Sequence, residues 1–148
     1  MMKEIRHVLV GTDFDEGSNA ALEAALAMAR AFRARLTLVH VVAPPPSAYA
    51  LYAEGLSWPA DEMNVQAERV LAVALEKARA VHPEVAGSLR LGAPWEEIVR
   101  AASELDAQLV IVGTHGRKGL SRVLLGSVAE KVVRTSPVPV LTVPLERP

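Results

Sequence analysis

The stretch Gly113–Val128 combines glycines, cations and a serine in a pattern that suits the binding of an anion. Its glycines are residues 113, 116, 119 and 126, and its cations are Arg117, Lys118 and Arg122. An apolar run, Leu109–Val112, leads into it, and a helical pattern begins at Ser127. Glycines omit the Cβ atoms that would keep a phosphate away and tolerate positive φ, while a helix N-terminus supplies N–H groups and a favourable dipole. The stretch therefore predicts a phosphate-type loop between a strand and a helix.

The same residues also have structural explanations. Ser127 and Glu130 match an S-x-x-E capping box, which would account for the serine without a ligand. Glycines are common in strand-to-helix loops for turn reasons alone. It is the combination of glycines and cations beside a buried strand that favours the anion site. Neither a Walker A loop nor a G-x-G-x-x-G dinucleotide loop can be read from the stretch.

A second candidate group follows the first apolar run, Val8–Val10. Asp13 would lie at the carboxyl end of a parallel strand, where open α/β sheets bind ligands. An aspartate in such a turn can equally cap local N–H groups. The residues alone leave both roles of Asp13 open.

The spacing Gly113-x2-Gly116-x9-Gly126-Ser127 resembles the G-2x-G-9x-G-[S/T] motif of the ATP-binding branch of the universal stress protein family. The resemblance extends from the segment 7–13 to the segment 138–143. It implies that an adenosine lies beside Asp13 and against Val41. It also implies that the loop from Gly113 to Gly116 surrounds the ribose and the α-phosphate.

The resemblance implies where the rest of the nucleotide binds. N–H groups around Gly126 and Val128, with the Ser127 hydroxyl, would hold the β- and γ-phosphates. Mg²⁺ would be carried mainly by the phosphates, so no metal-binding residue is expected. Arg117 would balance the charge of the phosphates or remain solvated. No dedicated catalytic base is evident, and His115, the only candidate near the phosphates, would support the loop. The expected binding residues are Thr12, Asp13, Val41, Gly113, His115, Gly116, Arg117, Gly126, Ser127 and Val128.

Strands and helices that alternate along the chain must position these residues. Strands are predicted over Val8–Val10, Leu36–Val42, Val85–Leu91 (at an edge), Leu109–Val112 and Val138–Val143. Helices are predicted after an N-cap at Ser18, from Pro59 to about His82, from Pro94, and over 127–136. Residues 43–59 read as a surface loop with a helical turn around Ala48–Ala53, although such loops can be lids or binding surfaces.

This order predicts a single three-layer α/β domain over residues 1–148, with helices on both faces of a five-stranded parallel sheet. The resemblance implies strand order 3-2-1-4-5, a Rossmann-like fold akin to the adenine nucleotide alpha hydrolases. Strands 1 and 4 are then neighbours, and ligands bind in the crevice between their carboxyl ends. Asp13 and Gly113 would face each other there. His40 is expected to be a hydrogen-bonded core histidine, and Gln108, where relatives often carry aspartate, to matter little.

Composition excludes several classes of protein. The chain has no cysteine and its four histidines are far apart, which excludes disulfides and argues against a zinc site. A net charge of −1 with interspersed signs argues against nucleic-acid partners. No apolar run is long enough for a membrane span, and no signal-peptide core is visible. We therefore expect a cytoplasmic protein.

The last strand bears on assembly. Pro139 cannot donate to a ladder, which predicts an edge strand, and an apolar edge invites pairing with another chain. We therefore expect a homodimer through Val138–Val143, unless the tail Pro144–Pro148 covers the edge.

Three functions follow from these observations. The first is an ATP-binding regulatory or stress-response module with at most slow hydrolysis, which we favour over an enzyme. The second is a nucleotidyltransferase or ATP pyrophosphatase, but the H-x-G-H and S-G-G-x-D-S signatures of such enzymes are missing from the first loop. The third is a dimeric interaction module that has lost nucleotide binding, against which the intact glycines and Ser127 argue.

Overall fold

The structure of the chain is a computed structural model that describes residues 3–14, 16–114 and 125–144, without the side chains of residues 16, 17 and 60. Its elements in chain order are β1 (His7–Gly11), α1 (Glu16–Phe32), β2 (Arg35–Val42), α2 (Pro46–Ala53), α3 (Ala60–Val81), β3 (Val85–Leu91), α4 (Pro94–Glu104), β4 (Leu109–Gly113), α5 (Ser127–Thr135) and β5 (Val140–Val143).

The five strands form one parallel sheet in the order β3-β2-β1-β4-β5. This confirms the strand order that the family resemblance implied, and it puts β3 and β5 at the edges. Parallel neighbours need crossover connections, which the helices between the strands provide. The crossover from β1 to β2 and the one that leads into β4 leave β1 and β4 side by side.

Side-chain alternation along the strands creates two cores. On one face Val8 and Val10 pack with α1 and α3, where Ala21, Ala25 and Ala29 are fully buried. On the other face Leu9 packs with α4 and α5 through residues such as Ile98 and Val132. A sheet with helices on both faces is the predicted three-layer architecture.

Several predicted boundaries need correction. The helix α1 begins at Glu16, so the prediction of Ser18 as its N-cap is wrong. The strand β5 begins at Val140, because the Ser136 side chain bonds to both backbone groups of Val138 and turns the chain there. The carbonyl of Pro139 nevertheless accepts a bond from Val110 at 3.0 Å. The helical turn expected around Ala48–Ala53 is confirmed as the helix α2.

An ion cluster holds α4 against the sheet. Glu97, in the first turn of α4, pairs with Arg90 of β3 at 3.4 Å and with Arg100 at 2.7 Å, and Arg90 also pairs with Glu104 at 2.6 Å. The Glu97 side chain lies against Gly92, whose φ of +145° and close contact with Glu97 both favour glycine. We call these four charged residues the Glu97 cluster.

Gln108 and His7 form hydrogen bonds at the amino ends of β1 and β4. The Gln108 Oε1 atom accepts bonds from the backbone N–H groups of Arg6 and His7, both at 2.9 Å. The His7 ring is buried; its Nδ1–H donates to the carbonyl of Leu105 at 3.0 Å, and its Nε2 accepts from the Thr37 hydroxyl at 2.7 Å. Burial lowers the pKa of His7. Gln108 thus links the start of β1 to the turn before β4.

Across the helices that the structure describes, none has the length and apolar character required to cross a bilayer.

Candidate functional site

The carboxyl ends of β1 and β4 meet at the middle of the sheet. The register pairs Val10 with Ile111, and each strand then continues toward the same edge. β1 leads to Thr12 and Asp13, and β4 ends at Gly113. The strand that follows β1 in sequence lies on one side of it, and β4 lies on the other. The connections after β1 and β4 thus leave in opposite directions across the sheet, and open α/β sheets bind ligands at such a point.

The loop of residues 12–14, which we call the β1 loop, is held by hydrogen bonds to β2 and within the loop. The Thr12 N–H donates to the Val39 carbonyl at 2.9 Å, and the Thr12 hydroxyl oxygen accepts from the Phe14 N–H at 3.1 Å. The Thr12 residue is only 7% exposed. Phe14 has a φ of +64°, a conformation that side chains of its size rarely adopt.

Asp13 is bonded to the first turn of α1. Its backbone N–H donates to the Ser18 Oγ atom at 3.0 Å, and the Ser18 hydroxyl donates to Asp13 Oδ1 at 2.5 Å. Ser18 therefore orients the Asp13 carboxylate instead of capping α1. The Asp13 carboxylate thus has a local contact with a hydroxyl group. The two roles that the sequence left open for it, capping of local N–H groups and contact with an adenosine, stay predictions. The five-residue spacing from Asp13 to a serine in the first turn of the next helix was the available signal.

The N-terminus of α5 is fastened to the end of β4. Gly126 is the N-cap residue, and its N–H donates to the Thr114 carbonyl at 2.5 Å. The next three N–H groups, those of residues 127–129, belong to a first turn that lacks intrahelical acceptors. Because β4 and α5 meet in this way, the positive end of the α5 dipole lies at the carboxyl end of β4.

The capping box predicted for Ser127 is not formed. Ser127 is the first helical residue and is exposed, and no side chain in the described part of the chain caps α5. Glu130 instead pairs with Arg134 at 2.8 Å. The backbone of Gly126 has a φ of −57°, which any residue can adopt, so positive φ is not the reason for this glycine. What glycine offers at this position is therefore the missing Cβ.

Val41 and Val128 lie on one face of the sheet. Both are partly buried and pack against the core between the sheet and helices α4 and α5. His40 points to the opposite face, because successive side chains alternate along a strand. Its Nδ1–H donates to the Thr12 carbonyl at 2.8 Å, and its ring lies 4.7 Å from that of Phe14. His40 is hydrogen-bonded as expected, but it is half-buried at the rim of the core.

Three predicted binding residues, His115, Gly116 and Arg117, lie outside the described residues. The same is true of the other two cations, Lys118 and Arg122, and of Gly119. Among the residues that the structure describes, no group of three histidines and carboxylates is placed to hold a metal ion. Of the predicted site, the described residues supply the main-chain parts: the carboxyl ends of β1 and β4 and the N-terminus of α5.

Known proteins share this architecture. The universal stress protein MJ0531 of Methanocaldococcus jannaschii is 34% identical over 144 residues, which span 93% of this chain and 81% of that protein. The structure of MJ0577 from the same organism superposes with a TM-score of 0.77 at 25% identity, covering 99% of this chain and 100% of that one. A universal stress protein solved in complex with cAMP superposes with a TM-score of 0.70 at 28% identity, covering 97% and 100%.

The sequence agrees with the structural comparison. The family model described as the universal stress protein family matches residues 4–144, which include every described strand and helix and the segment between β4 and α5. On this match, and on the identity to MJ0531, the chain belongs to the universal stress protein family.

Proposed function

We propose that the protein binds an adenine nucleotide, ATP, at the carboxyl ends of β1 and β4, and that it acts as a regulatory or stress-response module. The observation that carries the proposal is the bond from Gly126 to Thr114, which holds the N-terminus of α5 at the end of β4 beside the β1 loop. A polyphosphate suits this position because it accepts bonds from helix N–H groups and is attracted by the dipole. The family member bound to cAMP supports an adenine nucleotide as the ligand class.

The phosphates would bind to the first turn of α5. Its donors are the N–H groups of residues 127–129 and the exposed hydroxyl of Ser127. Gly126 carries no Cβ, so a phosphate can approach the main chain closely. Mg²⁺ would be carried mainly by the phosphates themselves. Arg117 would balance charge, with His115 and Gly116 in the loop around the ribose and the α-phosphate.

The adenosine would bind nearer to β1 and β2. Val41 offers an apolar surface on the α4 and α5 face, and Thr12 and Asp13 are held in the adjacent β1 loop. Gly113 ends β4 without a side chain that could fill the crevice. We expect at most slow hydrolysis, because phosphoryl transfer needs a positioned nucleophile as well as charge neutralisation.

Titration calorimetry tests the proposal. ATP, ADP, AMP and cAMP are titrated separately into the protein, with ATP also measured in the presence of Mg²⁺. We expect ATP to bind, and Ser127→Ala to weaken it about tenfold, because the lost bond is made to a charged group. Ser103→Ala, which removes another exposed helical serine, is the matched control and should leave the affinity unchanged.

Two results would reject the proposal in different ways. If none of the nucleotides binds at about 1 mM, where a dissociation constant of that size would still be measurable, the function is wrong. If Gly126→Val binds ATP normally, nucleotide binding survives but the assigned site is wrong. The φ of −57° at Gly126 is open to valine, and circular dichroism checks that the variant is folded.

We also propose that a second copy of the chain pairs with β5. This strand lies at an edge of the sheet, and its four residues are all only partly buried. A half-buried apolar edge is a template for strand pairing. The cytoplasmic location expected from the sequence stays a prediction.

A further inference from the structure

The β1 loop contains a backbone conformation that needs support. Phe14 has a φ of +64°, where the Cβ of an L-residue crowds the backbone. Such conformations persist only where the surrounding structure holds them, and they concentrate at functional sites. Contacts from neighbouring residues must therefore hold Phe14 in this conformation.

His40 provides the contacts. Its ring packs on the Phe14 ring at a centroid distance of 4.7 Å and an interplanar angle of 54°, a tilted arrangement that aromatic rings favour. Its Nδ1 atom lies 2.8 Å from the Thr12 carbonyl oxygen, so Nδ1 carries the proton and donates it. The Phe14 N–H in turn donates to the Thr12 hydroxyl at 3.1 Å. Thr12, Phe14 and His40 thus form a closed set of contacts, which we call the His40 clasp.

The clasp acts from the far side of the sheet. His40 and Val41 are consecutive residues of β2, so their side chains point to opposite faces. A nucleotide that lies against Val41 would lie on the face of the sheet away from the His40 ring. The contacts of the His40 ring reach the site through the β1 loop, in which Asp13 stands between the two clasp residues Thr12 and Phe14.

We propose that His40 and Phe14 are positioning residues that hold Thr12 and Asp13 in the conformation that receives the adenosine. This inference rests on the proposed function. A preformed loop avoids the entropy loss of ordering on binding, so the clasp raises the affinity without touching the ligand. Ser18 completes the arrangement, because it accepts from the Asp13 N–H and donates to the Asp13 carboxylate.

Three variants separate the parts of the clasp. His40→Asn keeps an N–H donor at the place of Nδ1 and removes the ring. His40→Phe keeps a ring over Phe14 and removes the donor. Phe14→Ala removes the ring contact from the other side. Phe32→Ala is the matched control, because Phe32 is the other phenylalanine, lies at the end of α1 and is 43% exposed.

Two measurements are made on each variant, namely ATP affinity by calorimetry and amide hydrogen exchange at Asp13 and Phe14. We expect His40→Phe and Phe14→Ala each to weaken ATP binding about fivefold to tenfold, the size of one lost hydrogen bond or ring contact. Exchange at the two amides should become faster by about the same factor. His40→Asn should recover part of the loss relative to His40→Phe, and Phe32→Ala should behave as the wild type.

The exchange data keep this inference separate from the proposed function. If the wild type binds no nucleotide, the proposed function fails, and with it the claim that the clasp serves binding, whatever the loop does. If the wild type binds ATP, unchanged exchange at Asp13 and Phe14 in His40→Phe and Phe14→Ala overturns the inference. It is also overturned if exchange rises equally at Val110 in the central strand β4, since that shows global destabilisation and not loss of local positioning.

Discussion

Replacement of Glu97 by glutamine tests how α4 is held beside the site. The Glu97 side chain is 11% exposed and lies between two cations, Arg90 and Arg100. Glutamine has nearly the same shape, so packing against Gly92 is kept while the charge is lost. The change therefore isolates the electrostatic part of the interaction.

The magnitude follows from the exposure of the partners. Removal of one member of a buried ion pair typically costs about 3–5 kcal/mol, because the other charge stays buried. Here Arg90, whose side chain is 15% exposed, keeps Glu104 at 2.6 Å, and Arg100 is 58% exposed and can be solvated. Both facts reduce the penalty. The substitution also removes the favourable interaction of the Glu97 charge with the first turn of α4, which adds to the cost. We therefore expect a loss in the free energy of unfolding of about 2–3 kcal/mol.

Urea and thermal unfolding measure this loss. For a chain of this size about 2–3 kcal/mol corresponds to a fall in Tm of roughly 5–10 °C. Glu104→Gln is the matched control: it removes the same charge from the same helix and another partner of Arg90. Its side chain is 51% exposed and lies in the last turn of α4, where a negative charge is unfavourable. We expect it to cost less than about 1 kcal/mol.

Two outcomes for these variants would contradict the expected order of stability. If Glu97→Gln and Glu104→Gln destabilise the protein equally, burial does not decide the strength of these pairs. If Glu97→Gln is stabilising, the desolvation of the carboxylate outweighs its two ion pairs.

Three further predictions concern other parts of the fold. Gly11→Ala should lower the free energy of unfolding by about 1–3 kcal/mol, because the new Cβ would lie 2.8 Å from the buried Ile98 Cδ1, and urea titration measures this. Burial lowers the pKa of His7 from 6.5, so the unfolded chain binds the proton more tightly than the folded chain does. The urea concentration at the midpoint of unfolding should therefore fall as the pH drops below 6.5, and this fall should be smaller in His7→Asn. The Val143 carbonyl faces β4, so the N–H of the preceding residue, Thr142, points to the open edge of the sheet. If β5 forms the dimer interface, Thr142→Pro should give a folded monomer, which light scattering detects. A dimer that persists in this variant argues against β5 as the interface.

The strands could be predicted from the sequence because buried parallel strands consist of short, continuous runs of apolar residues. Val8–Val10 and Leu109–Val112 were found within a residue or two of their observed ends. Such runs contain no information about which strand lies beside which. The order 3-2-1-4-5 came from the resemblance to a family, and the structure confirms it.

The errors arose where local motifs compete with contacts made elsewhere. Ser18 has the right type for an N-cap, but its hydroxyl bonds to Asp13. Ser127 and Glu130 have the spacing of a capping box, but α5 starts with Gly126 as its N-cap, so both are one position too late. Glu97 was not singled out from the sequence, because its partner Arg90 lies on the strand that precedes the helix and not within the helix.

Main-chain N–H groups at the start of α5 are proposed to hold the phosphates of a nucleotide whose adenosine lies at the carboxyl ends of β1 and β2. A crystal structure of the protein with ATP tests it most directly. We expect phosphate density within hydrogen-bonding distance of the N–H groups of residues 127–129, with the adenine against Val41. Nucleotide density at any other place, or none at a saturating concentration of ATP, would contradict it.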